Sequence, residues 1–579
     1  MASPELQVQK LVHTVEQGFL ARVVRGLLTL LFLGALAGGY LFFHFRGLST
    51  QDGIDQAQVA RELAAGHGFS TLNYRPLQIR YFQKLTDGLL PEHLPEIYHA
   101  PLQPLVNAAA LTAAKKYLSG GADGNHPVYN GDRVIAATAI FFFFAAVALM
   151  YGLALRLFDR RIALSVALFI LVADQFWQFA LSGLPQMLLL FLFALALHCL
   201  DWAIRANLRG ERPYASLALL GLILGLMALT QPLTLFIAGG AVLFCVIHFQ
   251  PRLYALLVPG ALCLAVFSLW LWHNYRVSHS PFGLAPFAFV HDVGGSSLAW
   301  MRRPVPDFSA LNLSALRQRV LGSLVAQLQG LTTLLGGVLV APLFFLALLH
   351  RFKRPETEAF KWALGLMWLA TFLGTVLSGM ESRWLDPNQL HLLFGPAMSL
   401  YGLAFTLVTL SRLYAEARSV RVLLIVAIGL ITAVPAALGL LAGGPPVNFP
   451  PYLPGLMRSF NAWTQPAEVI VSDMPWAVSW YGDRKSILLP DKPSTYNEYA
   501  DYQTIGPIVI LYLTPVSRDL KYVSQIGSGE YSDWAGLLVG YDKALEAFPL
   551  HAHVSLVDNQ CLLLADRPRW QETANPDTK

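Results

Sequence analysis

Two aspartates, Asp52 and Asp55, follow the first long apolar run of the chain by a few residues. A carboxylate at this place can accept a proton from a hydroxyl nucleophile, as a general base does. The same two residues can instead stabilise the start of a helix, with Asp52 as the N-cap and Asp55 three residues later, where the helix dipole favours negative charge. The two roles are compatible, so the sequence leaves both open.

A second group that could do chemistry is His93, Glu96 and His99, whose spacing is compatible with metal ligands. Prolines within and around this stretch interrupt any helix that would align the three side chains. We therefore predict no metal site and no cofactor, with a divalent metal as the less favoured alternative. The four cysteines have neither metal spacing nor the pattern of a disulfide framework, and we expect buried thiols.

The elements that must position these residues are membrane-spanning helices. Only 13% of the 579 residues are charged and 55% are hydrophobic, whereas soluble domains carry about 25% charged residues. The formal net charge of +5 is spread along the chain, so the sequence shows no patch for nucleic acid. The apolar run 23–45 is longer than the ~7–15-residue core of a signal peptide, and we expect an uncleaved first helix.

Apolar run lengths predict about eleven transmembrane helices. They cover residues 23–45, 133–156, 162–179, 184–200, 214–229, 231–247, 253–273, 331–350, 359–378, 389–410 and 421–442. Prolines break the apolar runs 162–200 and 214–247. We interpret each break as a tight hairpin, because this places every arginine-rich short loop on the cytoplasmic side. The N-terminus then lies inside and the C-terminus outside.

Three long segments lie on the outer face in this topology: 46–132, 274–330 and the chain from 443 onward. The last one contains four short apolar runs that are typical of buried strands. They are residues 469–471, 508–513, 554–557 and 562–565. We therefore predict a mainly α, polytopic membrane protein, with a transmembrane module over residues 1–442 and a small C-terminal α/β domain over residues 443–579.

The two aspartates should be held by a short amphipathic helix after the first span. Ile54, Ala57, Ala60 and Ala64 recur at spacings of three and four, which places them on one face. Gly66 is suited to end the helix, since glycine readily adopts the left-handed conformation of a C-terminal cap. We expect this helix to lie along the outer membrane surface.

The first outside segment resembles the signature of GT-C type glycosyltransferases. Asp52 and Asp55 precede the stretch 57–63, Ala-Gln-Val-Ala-Arg-Glu-Leu, and Gly-His-Gly-Phe closes it. The protein O-mannosyltransferase and lipid A aminoarabinose transferase families carry a similar order of acidic residue, helix and glycine turn. Counting back from Arg61 places the families' catalytic aspartate on Asp52, whereas some relatives place it three residues later, on Asp55. Gly53 stands where many members have glutamate, which leaves that choice open.

Further segments show the same resemblance in the same order along the chain. They are 98–104 with Tyr98 and His99, 151–161, 274–283 beginning at Asn274, 381–387 with Arg383, and 472–484. The last segment is similar to the tail domain of some bacterial members. The resemblance covers most of the chain and implies a GT-C fold whose site faces outward.

The resemblance also implies a donor sugar linked to a polyprenyl phosphate, and an inverting transfer in which an aspartate takes the acceptor's proton. Arg383 is then the favoured phosphate contact, since it starts an outer-face helix and its guanidinium can form two hydrogen bonds to phosphate. An arginine that only reaches the membrane surface is the alternative. Further candidates are Arg75 and Arg80 for the phosphate, and Tyr98, His99 and Asn274 for substrate, with solvated or structural loop residues as the alternative.

We therefore expect a membrane hexosyl- or pentosyltransferase in a bacterial inner membrane, facing the periplasm or exterior. Its partners would be a polyprenyl-phosphate sugar, an acceptor glycan, lipid or protein, and membrane lipids. One alternative is a polymerase or ligase of lipid-linked glycans. Another is a lipid or solute transporter, which the two proline breaks favour but the absence of an internal repeat and the scarcity of charges in the spans disfavour. A third is a non-catalytic scaffold that binds a ligand through its tail.

Overall fold

The computed structural model describes residues 19–85, 90–119, 128–287, 299–306, 308, 312–380, 385–413, 418–442 and 453–572. The chain divides into two compact units, Met1–Phe45 and Arg46–Lys579. The first unit contains helix α1, Phe19–Gly38, which continues as a π-helical stretch over Gly39–His44. The predicted phosphate contact Arg383 lies outside the described residues, so its role stays a prediction.

The second unit begins with short elements that precede the next long helix. They are α2 Gln51–Ala65, β1 Ser70–Thr71, β2 Asn73–Tyr74, α3 Pro76–Leu85, β3 Leu94–Pro95, α4 Leu102–Ala113 and α5 Lys115–Ser119. Strands β1 and β3 pair antiparallel, with Ser70 opposite Pro95. Helix α2 ends as predicted, because Gly66 adopts a left-handed conformation with φ of 88° and its amide bonds back to the last turn.

A series of helices follows, most of them long and apolar. They are α6 Asn130–Leu157, α7 Arg160–Val172, α8 Asp174–Ser182, α9 Gln186–Leu208, α10 Tyr214–Thr230, α11 Leu235–His248, α12 Arg252–Ser278, α13 Ala299–Arg302, α14 Leu313–Gln329, α15 Leu331–Leu334, α16 Phe344–Ala347, α17 Pro355–Leu377, α18 Gly395–Leu413 and α19 Arg418–Ala442. The short helix α13 contacts α3 and reaches the tail through Arg302.

Seven helices among the described residues are long and apolar enough to cross a membrane. The pair α7 and α8 is bent by 55° at a short break and counts as an eighth if it forms one span, while α10 and the stretch Pro232–His248 are shorter apolar helices. Large apolar side chains such as Phe43, Leu264 and Leu430 are exposed on these helices, as expected for lipid contact. The prediction of a mainly α, multi-pass membrane protein is confirmed.

Residues 331–350 do not form the continuous helix that their hydropathy predicts. The segment contains only the one-turn helices α15 and α16. Between them, Gly336 and Gly337 have φ of +91° and +70°, which ends the helical path. Apolar composition alone could not reveal this interruption, because it depends on the glycine conformations.

The tail consists of alternating strands and helices. They are α20 Pro454–Trp463, β4 Val469–Ser472, α21 Pro475–Gly482, β5 Lys485–Leu488, α22 Pro493–Asp501, β6 Ile508–Leu513, α23 Val523–Ser528, α24 Ala535–Val539, α25 Asp542–Ala547, β7 Ala552–Leu556, β8 Cys561–Ala565 and α26 Arg569–Glu572. All four predicted strand segments are therefore strands. The central strands β4 and β8 are fully buried, which explains their continuous apolar sequence.

The sheet has six strands in the order β2-β5-β4-β6-β8-β7. Strands β2, β5, β4 and β6 are parallel, and β8 and β7 add two antiparallel strands at one edge. The opposite edge strand, β2, comes from the first outside segment, with Asn73 opposite Ser486 and Tyr74 opposite Ile487. Backbone pairing therefore joins the tail to the loop that carries the two aspartates; the predicted boundary near residue 442 stays a prediction.

Two further contacts fix the tail against the membrane module. Arg61 of α2 donates hydrogen bonds to the carbonyl oxygens of Ser479 and Trp480, at 2.7 and 2.6 Å. At the start of α6, the Asp132 carboxylate accepts hydrogen bonds from the Trp480 indole at 2.7 Å and the Tyr481 hydroxyl at 2.8 Å. Helix α2 is therefore held between α4 and α21 rather than lying free on a membrane surface.

Candidate functional site

The start of α2 is capped by Thr50, not by Asp52. The Thr50 hydroxyl accepts a hydrogen bond from the Gly53 amide at 3.3 Å and donates one to the Ser182 carbonyl at 2.9 Å. Thr50 has the extended backbone of an N-cap, and the helix begins at the next residue. The capping hypothesis for Asp52 is therefore wrong, and its carboxylate lies one residue inside the first turn, available for another role.

Gly53 allows α2 to approach the turn between α8 and α9 very closely. A Cβ atom at Gly53 would lie 2.5 Å from the Ser182 carbonyl oxygen and 2.9 Å from the Gly183 carbonyl carbon. Gly183 itself has φ of +87°, a conformation that favours glycine. The glutamate that the resembling families carry at this position would not fit this contact. The departure from their pattern thus follows from local packing.

Asp55 is the centre of a buried polar network. Its Oδ2 accepts from the Arg75 guanidinium at 2.5 Å and is 2.9 Å from Nε2 of His99, while its Oδ1 accepts from the Asn73 amide at 3.0 Å. Burial opposes ionisation of Asp55, but the Arg75 charge and the His99 hydrogen bond outweigh it and hold the pKa of Asp55 well below its usual range. Burial tends to lower the pKa of His99, but bonding to Asp55 raises it overall.

A second buried carboxylate, Glu96, completes this network. Its Oε1 accepts from the amides of Tyr98 and His99 at 2.6 and 3.0 Å, and its Oε2 is 3.4 Å from Arg75. Arg75 also donates to Gln78 at 3.0 Å. The Arg75 guanidinium is thus already paired with two carboxylates. Such a network rigidifies the residues that it joins.

Asp52 differs from Asp55 in its exposure, in its hydrogen bonding and in the direction of its pKa shift. It is half-buried, and within the residues that the structure describes its carboxylate forms no hydrogen bond or ion pair with another residue. Burial raises the pKa of Asp52 and the negative charge of Asp55 adds to this, while His99 and Arg75 partly oppose it. An unpaired carboxylate whose pKa is raised toward the operating pH is suited to accept a proton.

Asp52 and Asp55 line a small pocket that three distant parts of the chain form together. The first outside segment contributes Arg75 and Tyr98, α13 contributes Met301, and the tail contributes Trp476. Helix α13 is itself fixed to the tail, because the buried Arg302 donates to the carbonyls of Leu489 and Pro490 at 2.8 and 3.0 Å. The tail therefore forms a wall of the pocket, a role that the sequence left open between acceptor binding and capping of the site.

The structure brings together only some of the predicted site residues. Asp52, Asp55, Arg75, Tyr98 and His99 are gathered here, with the Arg75 guanidinium 4.9 Å from the centre of the Tyr98 ring. Arg75 is buried, so the alternative of a solvated loop arginine is wrong for it. All five lie within residues 46–132, which the apolar run lengths predicted to be one long segment between the first two spans.

The remaining candidates lie elsewhere. Arg80 is exposed on α3 and does not line this pocket. Asn274 is buried near the end of α12, where its amide donates to the Pro281 carbonyl at 3.4 Å. The trio considered for a metal separates, since Glu96 and His99 belong to the Asp55 network while His93 lies beside Glu62. The roles of Arg80 and Asn274 in binding stay predictions.

Both proline breaks in the apolar runs contact the same late segment. Gln186, which follows the first break, donates to the carbonyls of Asp386 and Pro387 at 3.0 and 2.9 Å. Gln231, at the second break, donates to the Asn388 side chain at 2.5 Å. The breaks thus end two helices where a polar side chain can hold the segment before α18. These hydrogen bonds give the two proline breaks a structural role, so the breaks do not by themselves indicate a transporter.

Two solved structures share this architecture. ArnT from Cupriavidus metallidurans bound to undecaprenyl phosphate is 14% identical, with a TM-score of 0.53 over 93% of this chain and 98% of that chain. The archaeal oligosaccharyltransferase AglB from Archaeoglobus fulgidus, in complex with an inhibitory peptide and a dolichol-phosphate, is 14% identical, with a TM-score of 0.53 over 88% of this chain and 71% of that chain. No protein-family profile and no curated protein matches the chain. The predicted GT-C type fold is therefore confirmed.

Proposed function

We propose that this membrane protein transfers a sugar from a polyprenyl-phosphate donor to an acceptor hydroxyl, with Asp52 as the general base. The observation that carries the proposal is the Asp52 carboxylate, which has no hydrogen-bond or ion-pair partner among the described residues, in a pocket where the charged neighbours Asp55 and Arg75 are paired with each other. The shared fold supports the choice of donor, because ArnT binds undecaprenyl phosphate and AglB binds a dolichol-phosphate in the solved structures.

In the proposed reaction, Asp52 accepts the proton of the acceptor hydroxyl as that oxygen attacks the anomeric carbon of the sugar. The bond between this carbon and the phosphate oxygen breaks, and its electron pair leaves with the lipid phosphate. Attack from the face opposite the phosphate inverts the anomeric configuration. General-base assistance of this kind contributes typically ~10²–10⁴-fold to a rate.

Asp55 has a positioning role in this proposal. Its three hydrogen bonds hold Arg75, His99 and Asn73 in place, so that the positive charge of Arg75 is fixed at the pocket, near the leaving phosphate, without free movement. Fixed charges aimed at developing charge lower a barrier because no reorganisation is needed during the reaction. Arg383 is the proposed direct phosphate contact.

We place the reaction at the outer face of a bacterial inner membrane. Support comes from the arginine-rich short loops, which stay cytoplasmic by the positive-inside rule and put the pocket on the opposite side. A lipid-linked donor can be presented there with its phosphate at the interface, whereas nucleotide sugars are cytoplasmic. The tail would then narrow the entrance for the acceptor.

The test is release of free polyprenyl phosphate by purified full-length protein from a panel of undecaprenyl-phosphate monosaccharides, with water as the attacking hydroxyl where no other acceptor is supplied. Wild type should release lipid phosphate from at least one donor, and Asp52→Asn should not. Asp501→Asn, at an exposed position of the tail, serves as the matched control and should behave as wild type. Transport of intact donor into vesicles without release would contradict the proposal.

A further inference from the structure

A separate cluster of ligating side chains lies at the other end of α2. Glu62 is buried in the last turn of α2, His67 follows the Gly66 cap, and His93 directly precedes β3. Nδ1 of His67 is 2.9 Å from Oε2 of Glu62, and Nδ1 of His93 is 4.0 Å from the same oxygen. One ligand atom from each residue lies within 4.8 Å of the others.

We propose that Glu62, His67 and His93 bind a divalent transition-metal ion of the zinc class. Two imidazoles and one carboxylate are a ligand set that zinc uses, with a water completing the tetrahedron, while calcium and magnesium prefer oxygen ligands alone. Bonds of about 2.0–2.2 Å require ligand atoms about 3.3 Å apart in a tetrahedron. The distances of 2.9 and 4.0 Å in the structure lie on either side of that value. Changes of side-chain rotamer are therefore enough to bring the three ligand atoms to bonding positions.

The backbone around the cluster already holds the three ligands in place. The His67 amide donates to the Glu62 carbonyl at 3.0 Å, and this closes the cap at Gly66. Strands β1 and β3, which follow His67 and His93 respectively, pair with each other. The two histidine rings consequently stack with their centroids 4.4 Å apart. Both rings are partly exposed, which leaves an open path for the ion and its water.

The site is distinct from the proposed catalytic pocket. Glu62 lies ten residues beyond Asp52 on the same helix, which corresponds to about 15 Å of helical rise. The ion would therefore not touch the reacting atoms. It would tie the C-terminal end of α2 to the segment before β3, and so stiffen the loop on which the pocket is built. The inference does not depend on the proposed transfer reaction.

The experiment measures Zn²⁺ binding by the full-length protein with its affinity tag removed and after dialysis against a chelator. Wild type should bind one equivalent in a calorimetric titration. His67→Ala and His93→Ala should each weaken binding by at least about tenfold, since each removes a direct ligand. His551→Ala, an exposed histidine of the tail, is the control and should bind as wild type.

A second readout separates a metal site from a hydrogen-bonded histidine–glutamate pair. Zn²⁺ should raise the unfolding temperature of wild type but not of the His67→Ala/His93→Ala double variant, because only a ligand bound to the folded state stabilises it. No bound equivalent in wild type, or equal binding by the double variant, would overturn the proposal.

Discussion

Replacing Asp55 by asparagine should destabilise the protein far more than the same change at Asp52. Asp55 and Arg75 are 5% and 2% exposed, and the carboxylate accepts from Arg75, His99 and Asn73 within 3.0 Å. Removing one partner of a buried ion pair leaves the other charge uncompensated, which costs about 3–5 kcal/mol. Asp52 has no such partner among the described residues, and because its pKa is raised, its charge opposes folding at neutral pH.

The assay is thermal unfolding of both variants in the same detergent. Unfolding is monitored by tryptophan fluorescence and by loss of the monodisperse peak in size-exclusion chromatography. Asp55→Asn should unfold at a clearly lower temperature than wild type, and Asp52→Asn at the same temperature or above. In wild type, ionised Asp55 should stabilise the folded state at every pH above the pKa of an unfolded aspartate, about 3.9. This stabilisation should be lost only as the pH falls from that value through the depressed pKa of folded Asp55. Equal stability of the two variants would refute this reasoning.

Three further predictions concern other parts of the site. Gly53→Ala should lower the free energy of unfolding by about 1–3 kcal/mol, since its Cβ would lie 2.5 Å from the Ser182 carbonyl oxygen. Gly455→Ala, which has open space around it, is the control in thermal unfolding. Turnover should fall with decreasing pH while the pH is still above about 3.9, because the pKa of Asp52 is raised; a pH–rate profile without this acid limb would contradict the assignment. Arg61→Met should lower the free energy of unfolding by about 1.5–3 kcal/mol, because it removes charged hydrogen bonds to the tail. The same change should speed proteolysis between the tail and the membrane module. Unchanged protease resistance would argue against this docking role.

Features that depend on local periodicity were predictable from the sequence. The apolar helices, the four tail strands and the Gly66 cap each depend on composition or spacing within about 20 residues. Thr50 was overlooked as the cap because both it and Asp52 are favourable N-cap residues, and only the backbone conformation decides between them.

The difference between the two aspartates was not predictable, since it arises from contacts far along the chain. Asp55 is paired by Arg75, 20 residues away, and by His99, 44 residues away. Strand β2 has only two residues, too few to show a period, and its pairing with β5 spans about 410 positions. The tail's part in the pocket follows from that pairing. The segment 472–484, which contains Trp476, showed only its resemblance to a tail domain, and nothing in it indicated a place beside the two aspartates.

The account depends most on Asp52 as the proton acceptor. The most direct measurement is the initial rate of polyprenyl-phosphate release at saturating donor by wild type, Asp52→Asn and Asp52→Glu. We predict a loss of about 10²–10⁴-fold for Asp52→Asn, with an unfolding temperature equal to or above that of wild type, and partial recovery for Asp52→Glu. An Asp52→Asn protein that releases lipid phosphate at the wild-type rate would contradict the account.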